Sequence, residues 1–192
     1  MRSIQNYIIS CNNRYNNSKK IEDKELILNT EITERDYQFV NRIGIIKSTP
    51  LYIKTPAEIG DEVILHHNVF RRWYDVRGNE KNSAAFLSEN DYIVSPEEVF
   101  AYKRNNEWHC FDQFCFVKPI KQKSKWEGLK EKDLQGVLVY SNKYLKGLGL
   151  SEGDLVGFKP NSEYEFNIDG QKLYRILSNY ITTNYVEETK SN

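Results

Sequence analysis

At 192 residues, with 27 basic and 27 acidic side chains, the chain has room for two small domains and carries no net charge. No overall field therefore draws it to nucleic acid or anionic lipid. No apolar run approaches about 18 residues and the N-terminal stretch has no apolar core, so neither a membrane span nor a signal peptide is expected, and a soluble cytoplasmic protein is.

Tyr, Phe, Ile and Val are plentiful while Ala is scarce, a bias toward strands. Tyr7-Ile8-Ile9-Ser10-Cys11 reads as a first strand, and the Asn-rich stretch after it as a loop. That loop, residues 12–36, is charged but holds one aliphatic island, Leu26-Ile27-Leu28, without a helical period. Residues 39–48 read as a strand with Gly44 inside it, and a glycine there marks a bulge or the close approach of another backbone. Gly60-Asp61 turns the chain into a strand over 62–67. Residues 68–90 are the least strand-like part, with Arg71-Arg72-Trp73-Tyr74 and Arg77 at the centre. A strand resumes at Asp91-Tyr92-Ile93-Val94. Ser95 and Glu98 then fit a capping box with Pro96 at the first helical position.

The polar stretch 103–112 reads as a boundary between domains 1–108 and 113–187. Beyond it the same order recurs. A strand opens at Phe114-Cys115-Phe116-Val117, residues 121–133 read as its loop, and further strands are expected over 136–140, 154–158, 163–168, 172–176 and 180–185. Gln135-Gly136-Val137-Leu138 repeats Ile43-Gly44-Ile45-Ile46, and Gly153-Asp154-Leu155-Val156 repeats Gly60-Asp61-Glu62-Val63. The offset between matching strands is about 108 at the start, 92 to 93 in the middle and about 82 at the end. The first copy thus carries two extra segments, within 12–36 and 68–90. Function is commonly added to a scaffold in such loops.

This order resembles the GroES-type co-chaperonin family. The resemblance rests on Glu25-Leu26-Ile27-Leu28, similar to that family's mobile-loop Ile-Val-Leu, and on Arg42-Ile43-Gly44-Ile45-Ile46, Ile59-Gly60-Asp61-Glu62-Val63 and Ser95-Pro96-Glu97-Glu98-Val99-Phe100-Ala101-Tyr102. It spans most of residues 4–185. The resemblance implies an all-β protein of two tandem, partly open GroES-like barrels that oligomerises into a ring and caps a GroEL-type chaperonin. Leu26, Ile27 and Leu28 are the implied docking residues, and only the first copy has them. A loop richer in Asn, Lys and Glu than in Gly and Ser departs from the family, and leaves a structural or assembly role in a virion or other large complex as the alternative.

No catalytic constellation, phosphate loop or dinucleotide fingerprint is present, so neither an enzyme nor a cofactor is expected. Cys11, Cys110 and Cys115 lack metal spacing and read as free, buried thiols. His66 and His67, placed on a strand, would point to opposite faces and could not share a metal. For Arg71, Arg72, Trp73, Tyr74 and Arg77 two readings compete. One is a basic-aromatic interface for single-stranded nucleic acid or a partner protein. The other, favoured because Asp75 and Glu80 dilute the charge, packs the aromatics against the barrel, and nucleic acid is then not an expected partner.

Overall fold

Nearly every β-branched or aromatic run becomes a strand, and the fold is all-β apart from one short helix and two 3-10 turns among the described residues. The computed structural model describes residues 2–15, 18–21, 24–27, 39–124 and 128–185. The chain divides into two compact units, Met1–Asn105 and Asn106–Asn192.

The first unit contains β1 (Tyr7–Ser10), β2 (Ser18–Ile21), β3 (Lys24–Ile27), β4 (Ile43–Ser48), β5 (Glu62–Leu65), β6 (Arg72–Tyr74), β7 (Glu80–Asn82), β8 (Phe86–Ser88), β9 (Asp91–Val94) and β10 (Val99–Arg104). Its main sheet runs β10-β5-β4-β1-β9-β8, and β2-β3 and β6-β7 are separate two-stranded hairpins. Burial alternates along β4, where Gly44, Ile46 and Ser48 face inward while Ile45 and Lys47 face water, the period a half-buried strand requires. Ile9, Ile46, Val63, Leu65 and Tyr92 fill the core, and each large apolar side chain so buried contributes about 1.5–3 kcal/mol.

The second unit contains β11 (Glu107–Cys110), β12 (Phe114–Ser124), β13 (Gly128–Tyr140), the helix α1 (Lys143–Gly147), β14 (Leu155–Phe158), β15 (Tyr164–Ile168), β16 (Gln171–Leu177) and β17 (Ile181–Asn184). Its sheet runs β15-β16-β12-β13-β14-β17. Matched strand for strand, that is the order of the first unit. Neither large sheet closes on itself among the described residues.

The match holds at the level of single pairs. Ile9 faces Ile46 and Ile8 faces Ser48, as Val117 faces Leu138 and Phe116 faces Tyr140. The register slips between Ile8 and Ile9 and again between Phe116 and Val117. Gly44 faces Val63 as Gly136 faces Val156. At the Gly-Asp turns, Gly60 N–H donates to Ile46 O (2.9 Å) and Gly153 N–H to Leu138 O (2.8 Å). The Asp61 and Asp154 carboxylates each accept a backbone N–H three residues upstream, both at 2.8 Å. Gly60 and Gly153 have φ of 95° and 97°, a conformation that favours glycine. A 3-10 turn precedes the last strand in both units, at Pro96–Glu98 and Ser178–Tyr180. In the first, Glu98 Oε2 accepts from Ser95 N–H (3.4 Å) and Oγ–H (3.1 Å).

One expectation is corrected here. Residues 121–124 and 128–133 are not a loop, because β12 and β13 extend into a long ribbon in which Lys121 faces Glu131 and Gln122 faces Lys130; opposite charges across a ladder help to hold such strands together. The division between the units, after Asn105, lies within the stretch 103–112, where β10 ends at Arg104 and β11 starts at Glu107. The helix α1 was not expected. Asn142 starts it, its Oδ1 accepting Leu145 N–H at 2.8 Å, while Nδ2 donates to Phe114 O (2.6 Å) and Ser178 Oγ (2.7 Å). Leu145 packs with Cys115, Val117, Leu138 and Ile176 in the core of this unit. No described helix is long and apolar enough to cross a membrane.

Candidate functional site

The two segments peculiar to the first unit meet. After β5, His66 O and Nδ1 accept from Val69 N–H (3.1 Å) and Asn68 N–H (3.2 Å). Val69 and Phe70 are then fully buried, with Phe70 packed edge-on against Tyr92 at 4.7 Å. The inserted segment is thereby rooted in the core, and Ser83 Oγ–H donating to Val69 O at 2.6 Å closes its base.

From that root β6 and β7 pair with Arg72 opposite Asn82, Trp73 opposite Lys81 and Tyr74 opposite Glu80. Asp75 orders the tip. Its Oδ1 accepts Arg77 N–H (2.9 Å) and Asn79 N–H (3.0 Å), and Gly78 takes φ 78°. The bonds from Asn79, with those from Arg77 and Lys81, hold this carboxyl below its ordinary range. Val76 stands out fully exposed at the turn.

The start of the first inserted segment grips this hairpin. Arg14 Nε–H donates to Phe70 O (3.1 Å), Nη2–H to Arg71 O (3.3 Å), and Nη1 pairs with Glu80 at 3.3 Å. Its guanidinium also lies 5.8 Å from the Phe86 ring centroid. The Tyr15 hydroxyl stands 3.0 Å from Arg72 N–H, from which it accepts, and 3.1 Å from Arg72 O, to which it donates. Arg72 stacks over the Tyr15 ring at 5.3 Å and pairs with Glu80 at 3.4 Å. Sequence reasoning missed Arg14 and Tyr15. Their one signal was an arginine and a tyrosine together in a run of asparagines.

Trp73 and Tyr74 do not pack against the sheet as expected, being 48% and 51% exposed. The rings that pack on Tyr92 are instead the buried Phe70 and the half-buried Phe86, and the planar partner of Arg72 is Tyr15. Beside Trp73 lies a groove of about 830 Å³ lined by Asn68, Arg71, Trp73, Ala84, Ala85 and Ile93, among others. Arg77 is exposed at the turn.

Of the implied docking residues, Leu26 and Ile27 lie on β3, where Leu26 faces Lys19 and Ile27 faces Ser18; Leu28 lies outside the described residues. At the same place in the second unit the chain forms the β12–β13 ribbon.

His66 and His67 depart from the alternation expected of a strand. β5 ends at Leu65, and the two imidazoles stack with centroids 4.4 Å apart and planes 29° from parallel. Burial, then the neighbouring His66, Arg42 and Arg71, pushes His67 down to about 4. Among the described residues no group of three or more His, Cys, Asp or Glu side chains could hold a metal ion. The cysteines are free and buried, as expected, and burial pushes the Cys115 thiol up to about 12, far from a reactive thiolate.

No family model matches the chain, and no curated protein does.

Proposed function

We propose that this is a non-enzymatic, co-chaperonin-like protein. In this reading two tandem GroES-type, partly open barrels assemble into a ring that caps a GroEL-type chaperonin in the cytoplasm, docking through Leu26, Ile27 and Leu28. The observation that supports it is the doubled order of elements, carried through to the same strand order and a shared register shift between Ile8/Ile9 and Phe116/Val117, with the aliphatic segment in one copy only. The aliphatic island would contribute a few kcal/mol per subunit on burial, at about 25 cal/mol per Å² of apolar surface, and a ring would multiply that weak contact by avidity. ATP-dependent co-sedimentation with a chaperonin tests it. The wild type is expected to sediment with the ring and the Leu26→Ser/Ile27→Ser variant to stay in solution. Absence of nucleotide-dependent association, or association indifferent to those changes, would sink the proposal.

A second reading, a structural or assembly component of a virion or other large complex, draws support from the β6–β7 hairpin. Rooted by Val69 and Phe70 and gripped by Arg14, it presents Trp73, Tyr74 and Val76 to solvent, and exposed aromatics on a rigid support are a common form of interface. Stoichiometric presence in purified particles, without chaperonin affinity, would favour it.

A further inference from the structure

Among the described residues of the first unit, two buried polar atoms have no hydrogen-bond partner: Asn82 Oδ1 at the end of β7 and the Tyr92 hydroxyl on β9. Leaving such atoms unpaired opposes folding, so each calls for an explanation. Both belong to one place. Asn82 lines a cavity of about 460 Å³ whose wall includes Arg14, Tyr15 and Phe86. Tyr92 is wholly buried behind that wall, edge-on to Phe86 at 5.9 Å. The charges that reach its hydroxyl include Arg14, Glu80 and Arg72, and all three line the cavity.

The charges of the cavity are already matched. Arg14 and Arg72 both pair with Glu80, at 3.3 and 3.4 Å, and Glu89 sets a second carboxylate against the two guanidiniums. Asn12, Glu89 and Asn90 stand exposed at the rim, and their side chains have no partner among the described residues.

We propose that this cavity, between the start of the first inserted segment and the base of the β6–β7 hairpin, binds a neutral carbohydrate. The two unpaired atoms decide the class of ligand. Asn82 Oδ1 only accepts, whereas the Tyr92 O–H donates as well as accepts. A phosphate or carboxylate would take the tyrosine proton but leave Asn82 Oδ1 unmet, and would lie against Glu89. An ammonium would serve Asn82 Oδ1 but has no lone pair for the tyrosine proton, and would stand among Arg14 and Arg72. A sugar hydroxyl both donates and accepts, and adjacent hydroxyls of one ring match the amide N–H and C=O of Asn12 and Asn90. Phe86 offers an apolar contact to the C–H face of the ring, and the volume falls within the roughly 300–1,000 Å³ of small-molecule sites. The site belongs to the first unit alone, because the second passes from β14 to β15 through residues 159–163 without a hairpin.

Saturation-transfer NMR and calorimetric titration of the full chain test this, with glucose, galactose, mannose, N-acetylglucosamine, cellobiose, lactose and chitobiose as probes. At least one is expected to bind saturably with a Kd of about 1 mM, unchanged between about 50 and 500 mM salt because the ligand carries no charge. Glu89→Ala and Asn90→Ala, at the exposed rim, should each weaken binding about fivefold. Tyr92→Phe should weaken binding about fivefold while leaving the urea midpoint of the free protein level or higher, since it removes an unpaired buried group. A lower midpoint would mean that the hydroxyl is already bonded, and would overturn the proposal. So would no saturable binding of any probe at about 50 mM, binding indifferent to Glu89→Ala and Tyr92→Phe, or equal competition by inorganic phosphate or spermidine. None of these outcomes bears on chaperonin association, whose variants lie on β3.

Discussion

The two units share a strand order and the register shift in its first pair, and differ in what is hung on it. Between the first two strands of the main sheet, the second unit simply prolongs β12 and β13 into a ribbon stitched by Lys121–Glu131 pairing. The first unit leaves the sheet there, forms β2–β3, and returns at β4. Between the equivalents of β5 and β9 the contrast is sharper, since only the first unit adds β6–β7, rooted by Val69 and Phe70 and clasped by Arg14. After the second strand, the second unit caps a helix with Asn142, where the first has Pro50 and exposes Leu51 and Tyr52. The sheet carries the fold, and the departures from it carry the candidate interfaces.

The shared glycines offer the largest test of how alike the sheets are. A Cβ on Gly136 would lie only 2.6 Å from Lys118 O, a backbone atom, whereas on Gly44 the nearest backbone atom, Ser10 O, is 3.1 Å away and the closest contact is the Ile9 side chain. Gly136→Ala should therefore cost about 3 kcal/mol and Gly44→Ala about 1 kcal/mol, read as shifts in urea midpoint with a probe in each unit. Equal costs would mean that the two sheets give way alike.

Asn142→Ala comes next and should act on the second unit alone. It removes a helix cap worth about 1 kcal/mol and buried bonds to Phe114 O and Ser178 Oγ, for a total of about 2–3 kcal/mol. Hydrogen exchange should rise in α1 and around Ser178 while β4 and β5 stay protected. Loss of protection in β4 and β5 as well would contradict this expectation.

The smallest effect separates the units by pH. His67 titrates at about 4 when folded, against an ordinary value of 6.5. Between these values the unfolded chain binds the proton and the folded chain does not, so the stability of the first unit rises with pH across that window and is lost as pH falls through it. The ring is partly exposed, which limits the size of the effect. His67→Gln should flatten the urea midpoint between pH 4 and 6.5; an unchanged slope would place the dependence elsewhere.

Much of the shared sheet was legible because its signals are local. Gly60-Asp61 and Gly153-Asp154 are turn dipeptides, and alternation marks β4 and β9, so the strand offsets read from the sequence reappear in the pairing registers. What escaped notice depends on distant partners or has no apolar period. Residues 121–133 are mostly charged or polar and read as loop. At five residues α1 is too short for helical periodicity, and its cap depends on Phe114 and Ser178 far along the chain. The grip of Arg14 on Phe70 O and Arg71 O joins residues that nothing local connects. His66 and His67 escaped because β5 stops at Leu65, two residues before its expected end. Of the candidate site, the Arg71–Arg77 segment was visible as composition, but which rings face water was decided by Phe70, Phe86 and Tyr15 taking the sheltered places.

The β12–β13 ribbon also sets an order of events as the chain folds. Its two strands are neighbours in sequence and zip together at little entropic expense, whereas β1 waits for β4 across residues 11–42. Because β12 offers the same bulged edge as β1, each strand is a ready impostor for the other, a familiar source of misassembly in tandem repeats. Early closure of the ribbon withdraws β12 from that competition and leaves β1 as the strand still open to β4 and β9.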